Sequence, residues 1–181
     1  QRPSSFFGRG LVAHVSMADP VCPRLGDHLE AALRRQGVRH VRGGTYLCME
    51  GPQFSTKAES ALYRSWNCSV IGMTNLPEAK LAREAELCYA SVGMVTDFDC
   101  WHPAHDAVTV DAVIQVLLAN AGAARTLVAG LAHAVTHDPE AAACACRTAL
   151  EHALITAPEA RDPAMVQKLS GIAGRVLRPA A

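Results

Sequence analysis

The sequence predicts an α/β domain. Short runs rich in β-branched and aromatic residues alternate with stretches of helical periodicity, and the carboxy-terminal part reads as helix almost throughout. Half of the 181 residues are hydrophobic, enough for a substantial core within one domain spanning residues 1–181.

Leu29, Ala32 and Leu33 recur at helical spacing and Gly37 follows, so a helix is expected over Leu25 to Gln36. Val38 to Met49 is a strand that stops at Glu50-Gly51-Pro52. Thr56 and Glu59 have capping-box spacing and start a helix whose one face carries Ala58, Ala61, Leu62 and Trp66. A short strand, Ser69 to Met73, leads to Asn75-Leu76-Pro77-Glu78, which opens a helix to about Glu86. Cys88 to Val95 reads as a further buried strand. Helices are expected over Val110 to Leu131, around Ala141 to Ile155, and from Pro163 to Val176.

Charge excludes some partners. Seventeen basic residues balance seventeen acidic ones without a long run of either sign, so neither nucleic acid nor an anionic membrane is an expected partner. The apolar stretch Val110 to Leu131 is interrupted by Asp111, Gln115, Asn120, Gly122 and Arg125, which predicts a buried helix and not a membrane span. No secretory segment is expected ahead of it.

Seven cysteines, an odd number scattered through core-like segments, point to reduced thiols in a cytoplasmic protein. Cys144-Ala145-Cys146 has no second pair to complete a zinc site and reads as two small apolar residues on a helix or turn. His133 and His137, and likewise His102 and His105, have helical metal-ligand spacing but lack a completing acid or cysteine, so surface or capping roles are expected and no metal. Gly8-Arg9-Gly10 and Gly43-Gly44 neither follow a strand nor open a helix, as a phosphate cradle does. The opening Gln1-Arg2-Pro3 reads as the middle of a fold, which points to a fragment, a processed chain or one half of a split protein.

Chemistry concentrates at the loop ends of the strands, where α/β folds place ligands. Thr96-Asp97-Phe98-Asp99-Cys100-Trp101 sets two carboxylates two residues apart, on one side of the chain if it is extended. Such a pair suits a purine with a ring nitrogen to protonate and an amino group to bind, and equally suits a turn or helix cap. Phe54-Ser55 and Met73-Thr74 are junctions with a bulky residue beside a hydroxyl, and core packing explains either bulky residue alone.

Taken in order, Glu50-Gly51-Pro52-Gln53-Phe54-Ser55-Thr56-Lys57-Ala58-Glu59-Ser60, Gly72-Met73-Thr74-Asn75-Leu76-Pro77-Glu78 and Thr96 to Trp101 resemble the 5'-methylthioadenosine phosphorylase family of the purine nucleoside phosphorylase superfamily. The resemblance reaches upstream through His14-Val15-Ser16-Met17-Ala18-Asp19-Pro20 to Arg2 and downstream through Asp111, and becomes diffuse after about Leu131. It implies a mixed central sheet flanked by helices, without the family's amino-terminal portion and its phosphate loop, usually in a trimer.

The implied reaction cleaves an N-glycosidic bond with phosphate as co-substrate and no cofactor. Asp97 would act at purine N7 as or through the general acid, and Asp99 would recognise the 6-amino side. Phe54 would pack on the purine with Ser55 beside it, Met73 would lie under the ribose, and Thr74 would bind phosphate. Val110, Val113 and Ile114 would line the 5'-alkylthio pocket, reached by His14 from a neighbouring subunit, with Leu177 a looser candidate for the same pocket. Three readings follow: a phosphorylase completed by a second, amino-terminal chain; a phosphate-independent enzyme on a 5'-substituted adenosine; or a noncatalytic purine-binding subunit.

Overall fold

The computed structural model describes residues 2–102 and 110–177. They form two compact units: Gln1–Gly26 with Leu76–Ser91 and Asp138–Ala181, and Asp27–Asn75 with Val92–His137.

The first unit is built on apolar residues far apart in sequence. Phe7, Leu11, Leu150, Ala153, Leu169, Ala173 and Leu177 form one buried cluster, with Leu11, Leu150 and Ala173 fully enclosed. Helices α5 (Pro163–Lys168) and α6 (Ser170–Leu177) supply its carboxy-terminal wall. Asp162 caps α5, accepting from the Ala164 and Met165 amides at 2.7 and 3.3 Å. The Asp162 amide in turn donates to Gly10 O at 2.9 Å. Gly10 has φ +90, and a Cβ there would come 2.6 Å from the Asp162 Cβ, so glycine is required at this crossing.

Two glutamates of this unit are paired, while the buried Arg24 Nε has no hydrogen-bond partner among the described residues. Glu84, at the end of α3 (Asn75–Glu84), accepts from Ser5 Oγ at 2.7 Å and the Phe6 amide at 2.6 Å. Glu86 accepts from the Leu150 amide at 2.9 Å and from both Arg175 Nη2 and Nε at 2.6 and 3.0 Å. Burial acts to raise the Glu86 carboxyl, but these donors outweigh it and hold it below the usual glutamate range. A depressed folded-state value contributes stability above the unfolded pKa, about 4.3, and loses it as pH falls through the folded value. Wild type is therefore expected to exceed Glu86→Gln in Tm near pH 7, with the gap closing below about pH 4; a gap constant from pH 3 to 7 refutes the ionic role.

The second unit carries α1 from Asp27 onward (α1 is Pro23–Arg35), β1 (Tyr46–Cys48), α2 (Lys57–Ser65), β2 (Val70–Gly72) and α4 (Val110–Thr136). β1 and β2 pair in parallel with Tyr46 opposite Val70 and Cys48 opposite Gly72, and α2 is the crossover between them. The capping box is present: Thr56 Oγ1 accepts from the Glu59 amide, and Glu59 Oε2 accepts from the Thr56 amide.

Three expectations are corrected. Cys88 to Val95 forms no strand, because its one ladder-like bond, from the Cys22 amide to Tyr89 O at 2.7 Å, has no continuing partner among the described residues. Ala141 to Ile155 is not a helix but successive 3-10 turns, Pro139–Ala143 and Ala145–Thr148, broken where Cys144 turns extended at ψ 126. Helix α4 is formed but not buried: Val110, Leu117, Leu118 and Val128 are each more than half exposed, and Leu127 is buried. By length and composition Val113–Thr136 is apolar enough to cross a membrane, yet Arg125 near its centre and Gln115 and Asn120 make that placement costly.

Candidate active site

The ends of β1 and β2 bring two of the sequence motifs together. The chain leaves β1 through Gly51 at φ +70, where a Cβ would stand 2.7 Å from Met73 Sδ, so the absent side chain is what lets Met73 lie against this loop. The Met49 amide donates to Gly72 O at 2.9 Å and Ser55 Oγ reaches Met49 Sδ at 3.7 Å, which ties the Phe54-Ser55 junction to the same corner. Phe54 is 50% exposed and Thr74 is exposed beside half-buried Met73.

The third motif joins them through Cys100, whose thiol donates to Ser55 O at 3.5 Å. The short 3-10 turn Asp99–Trp101 packs on α2, with the Arg64 guanidinium 3.9 Å above the Trp101 ring. Asp97 and Asp99 do not sit side by side on extended chain. Asp97 Oδ1 accepts from the Asp99 amide at 2.8 Å, Oδ2 accepts from Thr96 Oγ1 at 2.5 Å, and Asp99 adopts φ +57, a conformation acidic and amide side chains tolerate best. The turn-cap reading of Asp97 is thus realised, and its carboxylate is exposed.

A cavity of about 400 Å³ opens in this unit, lined by Tyr46, Tyr63, Arg64, Asp97, Phe98 and Trp101 among others. Of the residues the sequence singles out, Asp97 and Asp99 line it, whereas Phe54, Ser55, Met73 and Thr74 do not. Tyr63 and Arg64 were not anticipated, although Ser60, Tyr63 and Arg64 recur at i, i+3 and i+4 on α2, the signal that one helix face carries them to the same wall.

The remaining predicted residues are placed as follows. Val110 and Ile114 are exposed on α4 and Val113 is half-buried. His14 is exposed in the first unit, its amide donating to Ala153 O at 2.8 Å. Leu177 belongs to the first unit's core, 8% exposed, which gives it a packing role. His133 and His137 stack 4.4 Å apart at the end of α4, with His137 Nδ1 2.9 Å from His133 O, the expected capping role. His105 lies outside the described residues.

Cys144 and Cys146 do have partners. In the first unit the sulfurs of Cys22, Cys88, Cys144 and Cys146 all lie within 4.8 Å of one another. Sequence spacing hides this, since Cys144 stands 122 positions from Cys22 and 56 from Cys88. Burial pushes the Cys144 thiol up, but the Cys146 amide and Arg24 donate to it and bring it down to about 6. Burial raises Cys88, and raises Cys146 to about 12.

A family model described as the phosphorylase superfamily matches residues 1–133. The chain belongs to the phosphorylase superfamily. It is 64% identical over 98% of its length to an S-methyl-5'-thioadenosine phosphorylase of Bradyrhizobium diazoefficiens and 60% identical over 97% to that of Rhodospirillum rubrum, covering 61% and 60% of those proteins. A crystal structure of methylthioadenosine phosphorylase from an Antarctic soil metagenomic library superposes with TM-score 0.83 at 46% identity, across 95% of this chain and 60% of that one. The Schistosoma mansoni methylthioadenosine phosphorylase in complex with adenine gives TM-score 0.75 at 28% identity, across 82% and 59%. The superfamily's nucleoside phosphorylase fold is thereby assigned, and the chain spans about three fifths of the length of these relatives.

Proposed function

We propose that the complete protein phosphorolyses 5'-methylthioadenosine, or a close 5'-deoxyadenosine relative, to adenine and the ribose 1-phosphate derivative. The 64% identity over 98% of the chain to a protein named S-methyl-5'-thioadenosine phosphorylase carries the reading.

In this mechanism Asp97 delivers a proton toward purine N7 as the glycosidic bond breaks, and Asp99, held one turn further by the Asp97 cap, reads the 6-amino group. The purine stacks on Phe54 with Ser55 beside it, and the ribose lies over Met73. Thr74 donates to phosphate, the nucleophile and sole co-substrate, and no cofactor takes part. Val110, Val113 and Ile114 hold the 5' substituent, and His14 of a neighbouring subunit reaches its end, while Leu177, buried in the core, takes no part. Preorganised neutral donors around an oxocarbenium-like centre supply the catalysis, without a covalent intermediate.

Exposed Phe54, Asp97, Val110 and Ile114 need cover for this chemistry, because a carboxylic acid keeps its proton near neutral pH only when desolvated. A second chain or segment bearing the phosphate site, within a cytoplasmic trimer, is the cover we propose. The test is adenine release from 5'-methylthioadenosine by the protein with every chain that copurifies, with and without phosphate. Phosphate-dependent release supports the proposal. Release independent of phosphate replaces it with hydrolysis, and binding without turnover replaces it with a purine-binding subunit.

A further inference from the structure

We propose that Cys22, Cys88, Cys144 and Cys146 form a closed tetrahedral thiolate site for one zinc ion, a structural centre separate from the purine chemistry. Cys144 Sγ lies 3.5 Å from Cys88 Sγ and 3.7 Å from Cys22 Sγ, and all four sulfurs fall within 4.8 Å of one another. Four zinc–sulfur bonds of about 2.3 Å set tetrahedral sulfur–sulfur edges of about 3.8 Å. A disulfide requires about 2.05 Å, and all four cysteines are free thiols here. The spacing is therefore that of ligands around a shared centre.

The surroundings point the same way independently. Cys22 precedes α1, and its sulfur accepts from the Leu25 amide at 3.5 Å, so a thiolate there sits at the positive end of a helix. Arg24 Nη2 donates to Cys88 Sγ at 3.3 Å and its guanidinium also bonds Cys144, while Arg83 Nη1 reaches Cys146 Sγ at 3.7 Å. N–H donors aimed at sulfur are the outer shell that orients metal thiolates. A dication with four thiolates carries two net negative charges, and two guanidinium groups face them. Arg24 is itself anchored by Asp138.

The ligands come from three separated parts of the chain and are each held by backbone. The Cys22 amide bonds Tyr89 O beside Cys88, and Arg147 N donates to Cys144 O at 3.0 Å in the turn that carries Cys146. Cys22 and Cys146 are 1% and 5% exposed, so the centre is shielded from water. Four protein ligands leave no open position, which makes the site structural.

The protein should be isolated under reductant, without chelator, from cells supplied with zinc, and its metal read by native and elemental mass spectrometry. About one zinc per chain is expected, falling at least tenfold in the double variant Cys144→Ser/Cys146→Ser and unchanged in Cys48→Ser. Cobalt added to fully reduced, metal-free wild type provides a readout that needs no variant: the sulfur-to-cobalt charge-transfer and visible bands of a tetrahedral thiolate should appear. Reduced wild type that retains no zinc and gives no such cobalt spectrum overturns the proposal, as does finding the four sulfurs paired as disulfides whose reduction yields no metal uptake.

Discussion

Asp97→Asn is expected to slow phosphorolysis of 5'-methylthioadenosine by about 10²- to 10⁴-fold, roughly 3 to 5.5 kcal/mol of transition-state stabilisation. The substitution keeps the local fold. An asparagine Oδ1 still accepts from the Asp99 amide and its Nδ2 is in place to donate to Thr96 Oγ1, so the circular dichroism and Tm should stay close to wild type. What disappears is the transferable proton. A loss in kcat with little change in KM is the signature of a group acting in the transition state. Turnover within about tenfold of wild type, a cost below about 1.4 kcal/mol, removes Asp97 from the general-acid role.

Leu150→Ala is expected to destabilise the first unit by about 2 to 5 kcal/mol, and Leu150→Met by less than about 1.5. Leu150 has no exposed surface and sits in the cluster of Phe7, Leu11, Ala153, Leu169, Ala173 and Leu177, whose members come from both ends of the chain. Truncation leaves a cavity that two short helices and an amino-terminal segment cannot readily collapse around. The Leu150 amide remains bonded to Glu86, so the loss isolates packing from the ion pair to Arg175. Denaturant titration checks this; a change under about 1 kcal/mol places the unit's stability elsewhere.

Features that depend on neighbours in sequence are legible in it. Thr56 and Glu59 are three residues apart and close their capping box without help from the rest of the molecule. Features that depend on who packs against whom are not. The apolar pattern of α4 predicts burial, but no described element covers Val110, Leu118 or Val128. Cys88 to Val95 has strand-like composition, and a strand exists only when a ladder partner supplies its hydrogen bonds. Alanine-rich 141–155 favours helix locally, yet its two cysteines are drawn toward Cys22 and Cys88 and the chain tightens into 3-10 turns.

The candidate site divides in the same way. The motif order was sufficient for the family, because residue types in order survive in the linear sequence whether or not a strand precedes them. The Arg64–Trp101 stack was not legible, since it is set by α2 lying against the turn, and neither were the exposure of Asp97 and the positive φ of Asp99.

That stack gives the molecule a built-in optical probe. Trp101 lies under a guanidinium at 3.9 Å and meets the Phe98 ring edge-on at 6.1 Å, directly after the two aspartates, and the only other indole is Trp66. In a Trp66→Phe background the tryptophan emission of these 181 residues arises from Trp101, two residues from Asp99, with the Arg64 guanidinium over its ring and the His102 ring 5.2 Å away. Occupancy of the turn is then observable in real time by stopped-flow fluorescence, with no label attached.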